Sequence, residues 1–396
     1  MWELWGSAAR PVSREEHGGG GQEGAHRLGP MSEQDTQNPQ AAPKLPPRHV
    51  TQEVLGQAGR RGPFRYGERI QVTDVKGSKN TFHLHPQGYF QSARGSFHHR
   101  DVVGRQEGTV LTTDSGHELL LLRPLLADYV LSMPRGAQVV YAKDSGQIIA
   151  LGDIFPGARV LEAGVGSGAL TMNLLSAIGE TGHLMSIERR EDFAAIAASN
   201  VDSWFGGHHP AWELRTGDFN DVVAARVEDA SIDRVVLDML APWENIEASA
   251  RVLAPGGLFL AYVATTTQMS RTVEALRHSL LFTEPEAWES MVRTWNVDGL
   301  SVRPDHRMVA HTGFLLTARR LAPGSAPLTR KRPPARGAYD DAGYWIPEDV
   351  RERTSTDRKV RRVLRDCRAK QPEDATPVLP GIPTAGGGDT QESPDD

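Results

Sequence analysis

Val160-Leu161-Glu162-Ala163-Gly164-Val165-Gly166-Ser167-Gly168 is the stretch of this 396-residue chain that most directly implies chemistry. An apolar strand runs into three alternating glycines and then a helical segment. Such a backbone turns tightly, approaches a ligand closely and offers the free N–H groups of a helix N-terminus. A nucleotide-containing ligand is expected. The loop alone leaves its kind open, because Gly164, Gly166 and Ala169 also satisfy the G-x-G-x-x-G/A dinucleotide pattern. Glu162 narrows the choice: two residues before the first glycine, it stands where a ligand's ammonium or an ordered water would lie and where a pyrophosphate would be repelled. S-adenosylmethionine, with a cationic sulfonium, a zwitterionic tail and no phosphate, tolerates that acid.

Glu188 ends the next strand, 20 residues past Gly168, where a carboxylate accepts both ribose hydroxyls, a feature shared with NAD enzymes. Strand three ends in Gly217-Asp218-Phe219, an acid for the adenine amino group with Phe219 packed nearby. An acid at a strand end also serves as a plain helix N-cap, and that reading stands beside the functional one for Asp218 and Glu188. Three acids at three successive strand ends form the pattern of class I methyltransferases, so S-adenosyl-L-methionine is the expected cofactor. Strand four continues into Asp238-Met239-Leu240-Ala241-Pro242-Trp243, and the loop after it contacts the methyl acceptor in a doubly wound sheet. Enzymes acting on exocyclic amines usually place an Asn or Asp before Pro-Pro and an aromatic, a spacing absent here. Asp238 suits a ring nitrogen instead: methylation of adenine N1 creates a cation spread onto the N6 amino group, which a carboxylate stabilises and deprotonates. Trp243 either stacks on a base or packs beneath Pro242.

The elements that must position these residues are legible in the apolar pattern. RVLEAG, HLMSIE, WELRTGD, DRVVLDM and GLFLAYV read as five strands. Helices over Ala169–Ile178, Asp192–Phe205, NIEASARVL and TTTQMSRTVEALRHSL alternate with them, and the runs WESMVRTWNV and TGFLLTARR follow. Strands alternating with helices imply parallel crossovers and a class I methyltransferase doubly wound (Rossmann-like) α/β sheet over residues 127–322. Before it, GERIQVTDVKGS, NTFHLHPQGYF and TVLTTDSGHELLLLRP alternate between Gly77, Gly88, Gly95 and Gly116, which predicts a small β-domain of four or five antiparallel strands over 63–126. Residues 1–62 and 323–396 are rich in Gly, Pro and charge and are expected to be disordered tails. Met31 looks more like a natural start than Met1. Within the C-terminal tail DRKVRRVLRDCRAK has the makings of a short basic helix with Val360, Val363 and Leu364 on one face, set against the plainer reading of a solvated tail.

Composition bounds the rest. With 39% hydrophobic residues the chain builds a real core, and 44 basic against 50 acidic residues leave a net charge of −6, so any nucleic-acid contact rests on local patches. A lone cysteine, Cys367, excludes a disulfide framework and a cysteine-ligated zinc site, and its place in a polar tail argues against a nucleophile. His98-His99 and His208-His209 lack further ligands at usable spacing, so no metal is expected. Without an apolar run of about 18 residues or a signal-peptide core, no membrane association and a cytoplasmic location are expected.

From about Pro63 to Pro323 the chain resembles the actinobacterial tRNA (adenine(58)-N(1))-methyltransferases, in VLSMPRGAQVVYAKDSGQII, VLEAGVGSGALT, VLDMLAPWE and WNVDGLSVRP followed by HTGFLLTARR. The resemblance implies a homotetramer that uses S-adenosylmethionine to form 1-methyladenosine in the tRNA T-loop. It implies a donor site of Ser167, Gly168, Ala169 and Leu170 in the loop, Glu188 at the ribose, Phe193 beside the adenine and Asp218 at its amino group. Asp238 matches the acid between donor and target base, and Tyr141, in Tyr-Ala-Lys-Asp where the family usually reads Tyr-Pro-Lys-Asp, helps orient the flipped adenine. Phe193 stands where related sequences often carry His. A flipped T-loop base calls for basic surfaces, for which Arg94, His98, His99, Arg100, Arg123 and Arg135 are candidates, against the alternative of solvated surface charges. The competing functions are a methyltransferase of the same class acting on protein or a small molecule, and a non-catalytic tRNA-binding subunit.

Overall fold

The computed structural model describes residues 61–328 and 357–369. The alternative start at Met31, the expected disorder of residues 1–60 and the RKRPPARG segment lie outside the described residues.

Six strands, one more than the upper expectation, build the N-terminal β-region: β1 (Arg69–Asp74), β2 (Lys79–His83), β3 (Tyr89–Ser92), β4 (Gly95–His98), β5 (Val110–Thr112) and β6 (Glu118–Leu122). Four form an antiparallel sheet in the order β2-β1-β6-β5, and β3 and β4 pair as a separate hairpin. The period-2 pattern decides which side is covered: Leu119 and Leu121 of β6 are buried while Glu118 faces water. They pack with Phe64, Ile70, Val72, Leu84 and Leu111, closed by Phe90 and Phe97 from the hairpin.

The chain then adds α1 (Leu126–Ser132), α2 (Ala142–Leu151), β7 (Arg159–Ala163), α3 (Ala169–Ile178), β8 (His183–Glu188), α4 (Glu191–Phe205) and β9 (Trp212–Thr216). α5 (Phe219–Arg226), β10 (Ile232–Asp238), α6 (Ile246–Val252), β11 (Leu253–Val263) and α7 (Thr266–Ser279) come next. β12 (Glu286–Trp288), β13 (Val292–Asp298), β14 (Ser301–Val309) and β15 (Phe314–Arg319) close the fold, and α8 (Asp357–Ala369) stands apart in the tail. The predicted doubly wound sheet is present, with seven strands in the order β12-β15-β11-β10-β7-β8-β9. β15 runs antiparallel to both of its neighbours, β12 and β11, and the other described pairings of this sheet are parallel. The path moves outward from β7 to β8 and β9, then returns to β10 on the other side of β7. The order therefore reverses between β7 and β10, which is where a doubly wound sheet opens a ligand crevice.

Alternation along β7 distributes its side chains between two cores. Val160 joins Met172, Leu174, Leu175 and Val201 under α3 and α4, while Leu161 and Ala163 join Val235, Leu237, Phe259 and Leu276 under α5 to α7. Each fully buried aliphatic contributes about 1.5–3 kcal/mol. The same period puts Glu162 on the α3 face, fully buried.

Three helices, α1, α2 and α5, go beyond the expected set. Only Phe219 and Val223 of α5 are buried, too thin an apolar stripe to read from sequence. The run WESMVRTWNV ends in β13, which pairs with β14 as an exposed hairpin. α8 corrects the solvated-tail reading for its own residues: Val360, Val363 and Cys367 are buried, and the last two cluster with Ile196 of α4.

Candidate active site

The glycine loop sits at the carboxyl end of β7, where its backbone is drawn against the neighbouring strands. The Gly164 N–H donates to the Ile187 carbonyl at 3.1 Å, and the Gly217 N–H donates to the Glu188 carbonyl at 3.0 Å. Gly164, at φ +86°, has no room for a side chain, since a Cβ there would stand 1.8 Å from the Asp238 carbonyl oxygen. Gly168 caps α3 in the left-handed conformation at φ +83°, with α4 backbone 3.3 Å from where a Cβ would be. Ser167, Ala169 and Leu170 are buried around this turn. Asn200 of α4 clamps it, its amide donating to the carbonyls of Ser167 at 3.0 Å and Pro134 at 2.8 Å.

Each acid has a different setting. Glu162 is wholly enclosed: the Thr171 hydroxyl donates to its two oxygens at 3.0 and 2.9 Å, and the Ser186 hydroxyl donates at 2.6 Å. Trp212 supports Ser186 with an indole N–H donated at 2.9 Å. Burial pushes the Glu162 carboxyl up to about 7, against the lowering effect of the two hydroxyls. This carboxylate braces β7, β8 and α3 from beneath the loop rather than lining its mouth. Glu188 accepts from the Gly166 N–H at 3.0 Å and the Arg190 N–H at 3.1 Å, so it shapes the glycine turn from β8. Asp218 is exposed and caps α5 by accepting from the Asn220 N–H at 2.9 Å. The N-cap reading therefore describes what Asp218 does in this structure.

Asp238 ends β10 at the point of reversal, with its side chain half-buried. Among the described residues no hydrogen bond holds its carboxylate, unlike those of Glu162 and Glu188. Burial pushes it up to about 7, and the charges of Glu162 and Glu188 push the same way. A carboxylate with free acceptor sites and a proton affinity near neutrality is suited to general base work.

A residue absent from the sequence reading faces it. Tyr262 of β11 is in register with Asp238, and its hydroxyl donates to Asp144 at 3.1 Å. Burial raises its phenol above the ordinary tyrosine range. Asp144 also accepts from Ser290 at 2.7 Å and Thr312 at 2.6 Å, and pairs with Lys143 at 2.7 Å. The signal was present in Tyr-Ala-Lys-Asp, but pairing it with Tyr262 requires the sheet order.

Tyr141 precedes α2 with its hydroxyl accepting from Gln138 at 3.1 Å. Phe193 is buried beside Gly136, its ring under the Arg190 guanidinium at 4.2 Å. Trp243 is half-buried against the α5–α7 core with Arg271 over its ring at 4.3 Å, which favours the packing reading. Three of the six candidate phosphate contacts, Arg94, His99 and Arg123, are engaged within the β-region. Arg123 pairs with Glu68 at 2.7 Å and Glu107 at 3.1 Å, and His99 is buried, its imidazole pushed down to about 4 by desolvation, hence neutral at pH 7. Arg94 pairs with Asp74 at 3.4 Å, while His98, Arg100 and Arg135 are exposed.

Residues 62–111 match the family described as TrmI-like N-terminal, and residues 119–311 match the family described as tRNA methyltransferase complex GCD14 subunit. The chain is similar to the tRNA (adenine(58)-N(1))-methyltransferase TrmI of Thermus thermophilus, 35% identical over 253 residues that span 63% of this chain and 96% of that protein. It is 31% identical over 240 residues to the tRNA (adenine(57)-N(1)/adenine(58)-N(1))-methyltransferase TrmI of Methanocaldococcus jannaschii, covering 55% of this chain and 84% of the other. Among solved structures, the SAM-dependent O-methyltransferase from Thermotoga maritima aligns with a TM-score of 0.63 at 29% identity, over 68% of this chain and 98% of that one. The tRNA (m1A58) methyltransferase TrmI from Aquifex aeolicus aligns with a TM-score of 0.58 at 25% identity, over 66% and 100% of the two chains. Matched over nearly the whole length of its Thermus thermophilus relative, the chain belongs to the tRNA (adenine(58)-N(1))-methyltransferase family.

Proposed function

We propose that this chain transfers a methyl group from S-adenosyl-L-methionine to N1 of adenine 58 in the T-loop of tRNA. The observation that carries the reading is Asp238, an unengaged carboxylate at the sheet's reversal point, beside the glycine loop and in register with Tyr262. The crevice fits the cofactor chemically. Glycines leave backbone where a Cβ would collide, and the charges of Glu162 and Glu188 both raise the proton affinity of Asp238, as that of Glu188 does for Glu162. Such a cluster disfavours a pyrophosphate and suits a cation. The backbone of Gly166, Ser167 and Gly168, the first turn of α3 at Ala169 and Leu170, and Glu188, Phe193 and Asp218 would hold it.

When bound, S-adenosylmethionine supplies an electrophilic methyl group on a sulfonium. Asp238 would accept a hydrogen bond from the adenine N6 amino group, so that positive charge developing on the base as N1 is alkylated meets a negative partner. The same carboxylate then takes the N6 proton and passes it to solvent. Tyr262 stands in register with Asp238, and Tyr141, as the family resemblance implies, would orient the flipped base.

The hairpin of β13 and β14 supports assembly into a homo-oligomer, a homotetramer in our reading. It exposes Trp295, Val297, Leu300, Val302 and Met308, and a lone two-stranded hairpin is marginally stable in water. Light scattering on the full chain and on Trp295→Asp/Val297→Asp tests this, with a smaller species expected for the variant. A tRNA substrate also supports a cytoplasmic location. Among the described residues no helix is long and apolar enough to cross a membrane.

Nucleoside mass spectrometry of unmodified tRNA incubated with protein and S-adenosylmethionine tests the activity. A donor-dependent 1-methyladenosine peak that disappears with Asp238→Ala is expected. Donor binding without any methylated nucleoside would move the acceptor to protein or small molecules, and tRNA binding without turnover would make the chain a non-catalytic subunit.

A further inference from the structure

We propose that α8 is a tRNA backbone-binding element docked on the methyltransferase domain, an assignment that rests on tRNA being the substrate. Two interleaved stripes run along it. Val360, Val363, Leu364 and Cys367 fall at positions i, i+3, i+4 and i+7, and Arg358, Arg361, Arg362 and Arg365 repeat the same spacing on the far side. The first stripe is seated: Val360, Val363 and Cys367 are buried, Leu364 half-buried, and Ile196 of α4 completes the cluster. The second stripe and Lys359 are exposed.

A 13-residue helix of this composition is marginal alone, so packing on α4 is what fixes it. That docking also fixes where the charge lies. The Cys367 thiol reaches the side-chain oxygen of Asn200 at 4.0 Å, and the amide of Asn200 holds the Ser167 carbonyl of the glycine loop at 3.0 Å. One residue therefore links the basic helix to the donor loop. In a chain of net charge −6, α8 concentrates six basic residues against two acidic ones. Arginines on successive turns, about 5.4 Å apart, match a run of phosphates. An acidic protein surface would also be drawn to that charge, but the substrate of this domain is a polyanion that must be held while one base is extruded.

The test uses the full chain with Arg358, Lys359, Arg361, Arg362 and Arg365 replaced by Gln, which keeps the helix formers and the apolar stripe. Expected is a rise in KM for tRNA of about 10-fold or more, and a fall of about 3 in the slope of log affinity against log salt, since each phosphate contact contributes roughly 0.7–0.9. Donor affinity and kcat at saturating tRNA should stay within about twofold. A milder variant, Arg361→Gln/Arg362→Gln, should show an intermediate slope if the larger one fails to fold. Unchanged KM and slope in the variant, where the wild type methylates tRNA, would overturn the assignment alone, as would a changed oligomeric state with unchanged tRNA affinity. A wild type that methylates no tRNA would overturn the function on which it rests.

Discussion

The Gly164 α-carbon lies so close to the Asp238 carbonyl oxygen that a methyl group would approach it to 1.8 Å. Two adjacent strand ends, one bearing the donor loop and the other the proposed base, thus meet through bare backbone. Gly164→Ala must push them apart and also place alanine at φ +86°, so a loss of at least about 2 kcal/mol is expected, roughly a 4–8 °C drop in Tm. Gly166→Ala provides the contrast: φ is +58°, yet its Cβ would make only an ordinary 3.6 Å contact with Ala137, so about 1 kcal/mol is expected. Equal melting temperatures for the two variants would show that β7 and β10 do not approach as described.

Asp238 can act as a base only when ionised, so turnover should fall as pH drops through the proton affinity of its carboxyl, near 7. Replacement by Asn keeps the shape and removes the proton acceptor. kcat is expected to fall by about 10²–10⁴ while donor affinity changes by less than about threefold, and the acidic limb of the pH profile should vanish. An Asn variant that retains that limb would assign it to another group.

Glu162 makes stability depend on pH with a definite sign. Its folded carboxyl, raised to about 7 from an ordinary 4.5, contributes stability that is full below about pH 4.5 and lost as pH rises toward 7. In that window the unfolded chain releases the proton first. The loss amounts to about 3 kcal/mol. Urea unfolding at pH 5 and pH 8 should therefore show Glu162→Gln gaining on the wild type by roughly that amount between the two conditions. Parallel pH profiles would mean that Glu162 is ionised in its buried site.

The donor loop and the parallel sheet were legible because both are local: Gly164, Gly166 and Gly168 follow an apolar run directly, and each strand carries its own pattern. The position of Asp238 at a strand end was legible for the same reason, at the end of VVLD. Depth was not legible. Glu162 and Asp218 look alike as strand-end acids, yet the first is sealed under α3 and the second caps α5 in solvent, because sheet position rather than sequence sets burial. His99 and Arg123 look like surface cations but complete the β-region through contacts with Phe82 and Glu68. Tyr262 was missed because its partners, Asp144 and Asp238, lie 118 and 24 residues away. Cys367 joined a core that only α4 could reveal.

Lys143 and Asp144 form a buried pair, with side chains 5% and 6% exposed, whose satisfaction depends on three hydroxyls brought by other elements. Lys143 Nζ also donates to the Ser290 carbonyl at 2.8 Å and to the Thr312 hydroxyl at 2.6 Å. Removing only the cation leaves Asp144 enclosed without its counter-charge, and Lys143→Met is expected to cost about 3–5 kcal/mol. Adding Asp144→Asn neutralises the stranded charge and keeps an acceptor for the Tyr262 hydroxyl, so the double variant should recover at least half of that loss. The coupling energy from a double-mutant cycle in urea is the deciding quantity. Additive losses would show that the two charges do not depend on one another. Coupled losses, with kcat falling in Lys143→Met and partly returning in the double variant, would tie the pair to the placement of Tyr262 opposite Asp238.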